Sequence, residues 1–385
     1  MTNYLTFSSP NSFTLATANS QKNWDGILEY STDTNNWSEW DGTEISADSG
    51  KLYLRGTGNT KLTGESSDDG RKWVLSGANV ACDGNIETLL DYATVASGNH
   101  PTMARYCFYR MFYGCTSLAT APTLPATTLA GCCYETMFNG CTSLVTAPAL
   151  PATTLAGRCY YNMFKGCTSL VTAPELPATT LKDYCYNRMF VGCTSLLTAP
   201  ALPATTLARD CYASMFYGCT SLVTAPALPA TTLAGRCYYI MFKGCTKIKI
   251  SAVKTEEYNT PYRIPVSGEG TTATYALLYM LEATGGTFKG DPSINTTYYT
   301  SNRVISEESE TLIVYNGEII SGLEAGRTAT LKTANSELEH DIYIIPQHTV
   351  NIAYGGTKKS ANKGQTAILK CANNELEHNI VISAK

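Results

Sequence analysis

The side chains best equipped for chemistry in this chain are its cysteines, fifteen in 385 residues, and twelve of them fall into two regular series. Cys107, Cys133, Cys159, Cys185, Cys211 and Cys237 stand 26 residues apart, and so do Cys115, Cys141, Cys167, Cys193, Cys219 and Cys245. Thiols so spaced can pair as disulfides within or between repeats, ligate a metal, or fill one small buried slot each time the unit recurs. Structural zinc sites favour C-x2–4-C clusters, whereas the two cysteines of one unit are eight residues apart. A buried structural ladder is therefore expected, with disulfides as the alternative reading and no metal anticipated. Cys132 breaks the pattern at a variable position and is expected to be exposed.

Histidine is scarce: His100, His340, His348 and His378 are the four, and none lies among the repeated cysteines. His340 and His378 hold equivalent places in two E-L-E-H segments, which raises the question of a metal pair. Duplication of a module copies its loop residues too, so solvated polar turns are the expected reading. No G-x-S-x-G, H-E-x-x-H, phosphate loop or dinucleotide fingerprint occurs in a supporting context. The chain is expected to be non-enzymatic and to need no cofactor.

The elements that hold these cysteines repeat with them. Written once, the unit is C-Y-x-x-M-F-x-G-C-T-S-L-x-T-A-P-x-L-P-A-T-T-L-x-x-x. Leu155, Cys159, Met163 and Cys167 recur every four residues, with Phe164 beside them, which reads as one face of a short helix. Gly166 then reads as the helix C-terminal signal. Leu170, Ala173 and Leu176 follow at a three-residue beat ended by proline, which suggests a short strand or rung. A helical turn plus a rung cannot bury both its faces, so such units stack, and identical positions become ladders along the axis. The expected fold is a mixed α/β solenoid of 26-residue units, flanked by small all-β domains.

The run from Leu150 to Pro174, L-P-A-T-T-L…M-F-K-G-C-T-S-L-V-T-A-P, resembles the BspA-like, or Treponema-type, leucine-rich repeat, whose pattern is roughly L-P…I…A-F…G-C-x-x-L-x-x-I-x-L-P. The likeness covers about residues 101–250, and its recurring F-x-G-C-T-S-L core is specific. The unit departs from the family by a few extra residues around Cys159 to Met163. The resemblance implies a surface adhesin of bacteria or protists, or a phage-encoded structural protein.

Around the array, residues 1–78 alternate apolar and polar in short runs and read as an N-terminal β domain. Within them Ser66 to Trp73 fits S-x-D-x-G-x-x-W, the hairpin-turn pattern called an Asp-box. Residues 79–106 read as cap and linker, with a helix over Cys82 to Tyr92 covering the first rung. The array spans 107–250. Residues 251–303 read as a C-terminal cap with a degenerate unit around Met280. Two β modules follow, 304–346 and 347–385, carrying the related segments Gly326-RTATLKTANSELEHDIYI and Gly364-QTAILKCANNELEHNIVI. Their G-x-T-A-x-L-K-x-A cadence is similar to short modules of phage tail and fibre proteins.

Residues that differ between units mark what the stacking does not fix. The helical half varies most, and Arg110, Tyr113, Tyr161, Asn162, Lys165, Tyr186, Arg188, Tyr217, Tyr239 and Lys243 form the candidate partner-binding strip. Tyrosine, arginine, lysine and asparagine give broad amphipathic contact with adaptable hydrogen bonds. Charged residues make up only 16% of the chain and the net charge is −4, so neither disorder nor a polyanion partner such as nucleic acid is suggested. No run of 18 apolar residues occurs, so membrane insertion is not expected. The N-terminus, MTNYLTFSSPNSF, has no signal pattern, so synthesis in a cytosol is expected.

With the resemblances, these features imply a virion protein of tail-fibre or receptor-binding type. Its partners would be a bacterial surface protein or glycan and, through the terminal β domains, other virion proteins. The fibre analogy admits a homo-oligomer, a trimer. The alternative is a bacterial cell-surface or secreted adhesin, and a polysaccharide-active enzyme, prompted by the Asp-box, is the third reading.

Overall fold

The computed structural model describes residues 4–48, 50–64, 71–230, 232–248, 250–251, 273–284, 288–289, 304–305, 310–315, 318–332, 340–346, 348–363 and 365–385. The described residues fall into two compact units, one running to Phe288 and the other comprising Lys289 and the residues from Val304 onward. Residues 66–70 of the Asp-box lie outside them.

The first unit opens with nine short strands: β1 (Leu5–Ser8), β2 (Phe13–Thr17), β3 (Ile27–Ser31), β4 (Ser38–Glu39), β5 (Ile45–Ala47), β6 (Lys51–Thr57), β7 (Trp73–Ser76), β8 (Val80–Asp83) and β9 (Leu118–Thr120). They form one sheet in the order β4-β3-β6-β1-β8-β9 and a second in the order β5-β2-β7. Alternation in β1 and β2 sends Leu5, Phe7, Phe13 and Leu15 inward, as a half-buried strand requires. Between the sheets Trp24 stacks on Trp40 at 5.0 Å, Trp40 meets Trp73 edge-on at 5.1 Å, and Trp73 meets Phe112 of the array at 5.9 Å. This core continues into the repeats, and residue 78 is no break in packing. The expected helical cap is replaced by strand β8, which pairs parallel to β9, Val80 opposite Leu118. The α-helix, α1 (Thr88–Ala96), starts later and kinks at Asp91.

The half of each unit expected to be helical is not a helix. It is a ribbon of overlapping four-residue turns. In the third coil the N–H groups of Tyr161, Met163, Lys165 and Cys167 donate three residues back, to Arg158, Tyr160, Asn162 and Phe164, at 3.1–3.2 Å. The alternate N–H groups, of Arg158, Tyr160, Asn162, Phe164 and Gly166, donate forward to Asp183, Cys185, Asn187, Met189 and Val191 of the next coil at 2.8–3.1 Å. Every ribbon amide is thus used, as buried backbone demands. The same five forward bonds recur at each step from the first coil onward.

Such turns need a left-handed residue at every fourth position, and Arg158, Asn162 and Gly166 have φ of 60°, 54° and 74°. Gly166 is therefore the third of these turn residues, not a helix stop. Between them the pairs Cys159–Tyr160 and Met163–Phe164, followed by Cys167, point inward and are buried. Phe112, Phe138, Phe164, Phe190, Phe216 and Phe242 stack face to face at 5.6–5.7 Å. The expected strand is reduced to single parallel bridges joining Thr146, Thr172, Thr198 and Thr224.

Both ends of the stack are covered. The carbonyls of Cys107 and Met111, which have no preceding coil, accept from Leu62 N–H at 2.8 Å and Trp73 N–H at 2.7 Å. At the other end residues 273–284 form a seventh ribbon, and Thr274, Ala276, Leu278, Met280 and Glu282 accept the five forward bonds at 2.9–3.2 Å.

In the second unit the two halves share their sheets. Strand Thr328–Leu331 pairs with Ile380–Ala384, and Ile342–Ile345 with Ala367–Leu369. Ile313, Ile342, Ile344, Val350, Ile352, Ile380 and Ile382 form one core. The segments 304–346 and 347–385 are therefore a single interleaved domain in place of two successive modules. His340 and His378 are both exposed.

Candidate functional site

The ribbon places its variable residues in columns one coil apart, and the columns answer unequally to the expected strip. Tyr186 leaves it: the ring is 1% exposed and stacks between Tyr160 and Tyr212 at 5.6 and 5.8 Å. It is the residue after the first cysteine of its unit, which always faces in. Asn162 is also buried, at 8% exposure, whereas Arg188, at the same left-handed turn position one coil on, is exposed.

Much of the remaining charge ties coil to coil. Arg158 grips Glu135 of the preceding coil with two hydrogen bonds, Nη2 to Oε1 at 2.8 Å and Nε to Oε2 at 3.1 Å. Asp210, fully buried, lies 3.2 Å from Arg236 and 3.4 Å from Arg209. Lys243 pairs with Glu282 at 2.6 Å. Arginines also lie over tyrosines: Arg110 on Tyr113 at 4.3 Å, Arg158 on Tyr161 at 4.4 Å and Arg236 on Tyr239 at 4.9 Å. Bidentate arginine–carboxylate pairs are the strong class of such contacts, and Arg158–Glu135 belongs to it; all these pairs add to the backbone bonds that join the coils. Glu135 and Asp210 stand at variable positions of the unit but are not among the candidate strip residues. The signal was present, since Asp210 and Arg236 are opposite charges one unit apart.

What the pairing leaves is a smaller set. Arg188 and Tyr217 are exposed, and Lys165, in the column of Tyr217 two coils earlier, is half-buried. Neither Lys165 nor Arg188 has an ion pair among the described residues. Tyr161 keeps one face for Arg158 and is half-buried. On the proline side, Pro200, Leu202, Pro203, Pro226 and Pro229 line a groove of about 570 Å³.

All fifteen cysteines are free thiols, and all but the half-buried Cys371 are interior. Cys132 is 1% exposed, not exposed as expected, because Arg105 reaches over it to 4.0 Å from its sulfur. The second series does more than fill space. Cys141, Cys167, Cys193, Cys219 and Cys245 each donate the thiol to the phenylalanine carbonyl of the preceding coil, at 3.0–3.1 Å. Burial pushes Cys167, Cys185 and Cys245 up to about 12 and Cys237 to about 11. At neutral pH these groups stay protonated, which disfavours thiolate nucleophiles and metal ligation. Among the described residues no group of three His, Cys, Asp or Glu side chains is placed to hold a metal, and no helix is long and apolar enough to cross a membrane.

No family model, curated protein or solved structure matches the chain.

Proposed function

We propose that the chain is a non-enzymatic binding protein, a virion component of tail-fibre or receptor-binding type whose repeats form a leucine-rich-repeat solenoid. One observation carries this reading: the ribbon keeps invariant residues inside and leaves Arg188 and Tyr217 exposed and Tyr161 and Lys165 half-buried, in three columns of one face. Aromatic and cationic side chains on a rigid scaffold suit a surface protein or glycan partner, because little conformational entropy is lost on contact. The F-x-G-C-T-S-L cadence and the tail segments support the family and virion parts of the reading.

The test is binding of the full chain to bacterial envelope preparations and surface polysaccharides. Replacing Tyr161, Lys165, Arg188 and Tyr217 together by Ser should weaken binding at least tenfold with unchanged circular dichroism. Retention within twofold would sink the proposal.

A further inference from the structure

The net charge of −4 conceals an uneven distribution. In the seven ribbons, residues 104–114 with their equivalents in each coil and 273–284, nine lysines and arginines stand against four acids, Glu135, Asp183, Asp210 and Glu282. Depth sharpens the contrast. Glu135 and Asp210 are buried, whereas Arg105, Arg158, Lys182, Arg188, Arg209 and Arg236 are exposed. Arg105, Lys165, Lys182 and Arg188 pair with no acid among the described residues. A partner approaching this face therefore meets a positive local field on a chain that is negative as a whole.

The cations also recur. Coils three and six share the run G-R-C-Y-Y-x-M-F-K-G-C, so that Arg158, Tyr161 and Lys165 return as Arg236, Tyr239 and Lys243. In each copy the arginine lies over the tyrosine, at 4.4 and 4.9 Å. Two of the five N–H donors of Arg158 go to Glu135, which leaves three on an exposed guanidinium. From Phe164 to Phe242 the rings stack in three steps of 5.7 Å with planes 3–6° apart, so the two copies face the same way about 17 Å apart.

We infer that this face binds an acidic polysaccharide laid along the stack, with its carboxylates or phosphates on the ribbon cations. The inference rests on the function proposed above and narrows its partner. A polymer whose charge recurs can hold both copies at once, and its second contact is then intramolecular. Guanidinium forks match the paired oxygens of either anion. Tyr161 and Tyr239, half-buried beside them, offer ring surface to the C–H groups of the sugars between the charges.

Titration calorimetry of the full chain with polygalacturonate, poly(glycerol phosphate) and neutral dextran tests the inference, and duplex DNA and phosphatidylglycerol vesicles serve as the other polyanions. At least one acidic polymer of the first pair should bind and dextran should not, and Kd should rise roughly tenfold or more between 50 and 200 mM salt, as counterion release requires. Lys165→Gln, Lys182→Gln and Arg188→Gln together should weaken binding at least tenfold and flatten its salt dependence, with unchanged circular dichroism. The salt dependence of the wild type needs no variant to fold. Dextran bound as well as the acidic polymers, indifference to salt, tighter binding of DNA or vesicles, no binding at all, or a folded triple variant within twofold of wild type overturns it. Envelope binding that survives salt and excess acidic polymer would overturn this inference and leave the proposed function standing, whereas acidic-polymer binding without envelope binding does the reverse.

Discussion

Tyr186 carries its hydroxyl into a column of stacked rings where that oxygen finds no hydrogen-bond partner among the described residues, and Tyr134 does the same. The first coil holds Phe108 in this slot, stacked on Tyr134 at 5.6 Å, so the column accepts a ring without the hydroxyl. Removing an unpaired buried polar group while keeping the shape should stabilise. Tyr186→Phe is expected to add about 1 kcal/mol to the free energy of unfolding in urea, and a drop in stability would show that the hydroxyl is satisfied in solution. The second cysteine series is the opposite case. There the polar atom has its acceptor, the carbonyl one coil back, so Cys serves as both apolar filler and donor. Serine is shorter and more costly to bury, and alanine cannot donate.

At the scale of the element, the ribbon's alternation is the constraint. Deleting Cys159 to Tyr184 removes one whole 26-residue unit and joins Arg158 to Cys185 with the turn order intact. That variant should fold cooperatively, with stability reduced by roughly one coil's intrinsic and interface contribution. Deleting Lys165 alone moves Gly166 one place nearer Asn162, so that the left-handed positions no longer fall every fourth residue. Soluble protein resistant to limited proteolysis is expected from the first deletion and not from the second; equal behaviour would mean that the forward bonds do not govern folding. This distinction was only half legible in the sequence. Period, stacking, inward ladders and the degenerate seventh unit could be read, because each rests on repetition. The helix could not be told from the turn ribbon by apolar spacing, yet one clue was there: a helix advances 100° per residue. A strict four-residue beat therefore drifts by about 40° per step on a helix and by nothing on a ribbon of four-residue turns. The binding strip was read less well, because variability marks both solvent contact and coil-to-coil pairing. Arg158 and Lys243 vary for the second reason, Arg188 and Tyr217 for the first.

For the first unit as a whole, the buried thiols act together. Each ladder cysteine has a pKa raised above its ordinary value of 9.0 by burial, in Cys115, Cys167, Cys185 and Cys245 to about 12. A raised folded pKa means that this contribution to stability is complete below pH 9 and is lost as pH climbs toward 12. The buried tyrosines Tyr134, Tyr160 and Tyr212, held well above 10.0 by the same desolvation, add in the same direction. Urea midpoints followed by tryptophan fluorescence should fall steeply between pH 9 and 11, and less steeply once Cys185 and Cys193 are replaced by Ala. A flat profile over that range would contradict the buried ladders. The forward amides have a further consequence, because all of them point the same way. Each coil gives five hydrogens to the next and takes five from the one before, so peptide dipoles that cancel in a sheet add along this stack. The column is electrically one-way, negative toward Tyr106 and positive toward the seventh ribbon, the reverse of an α-helix read in the same chain direction. A longer array of this unit would be a stronger dipole as well as a longer surface.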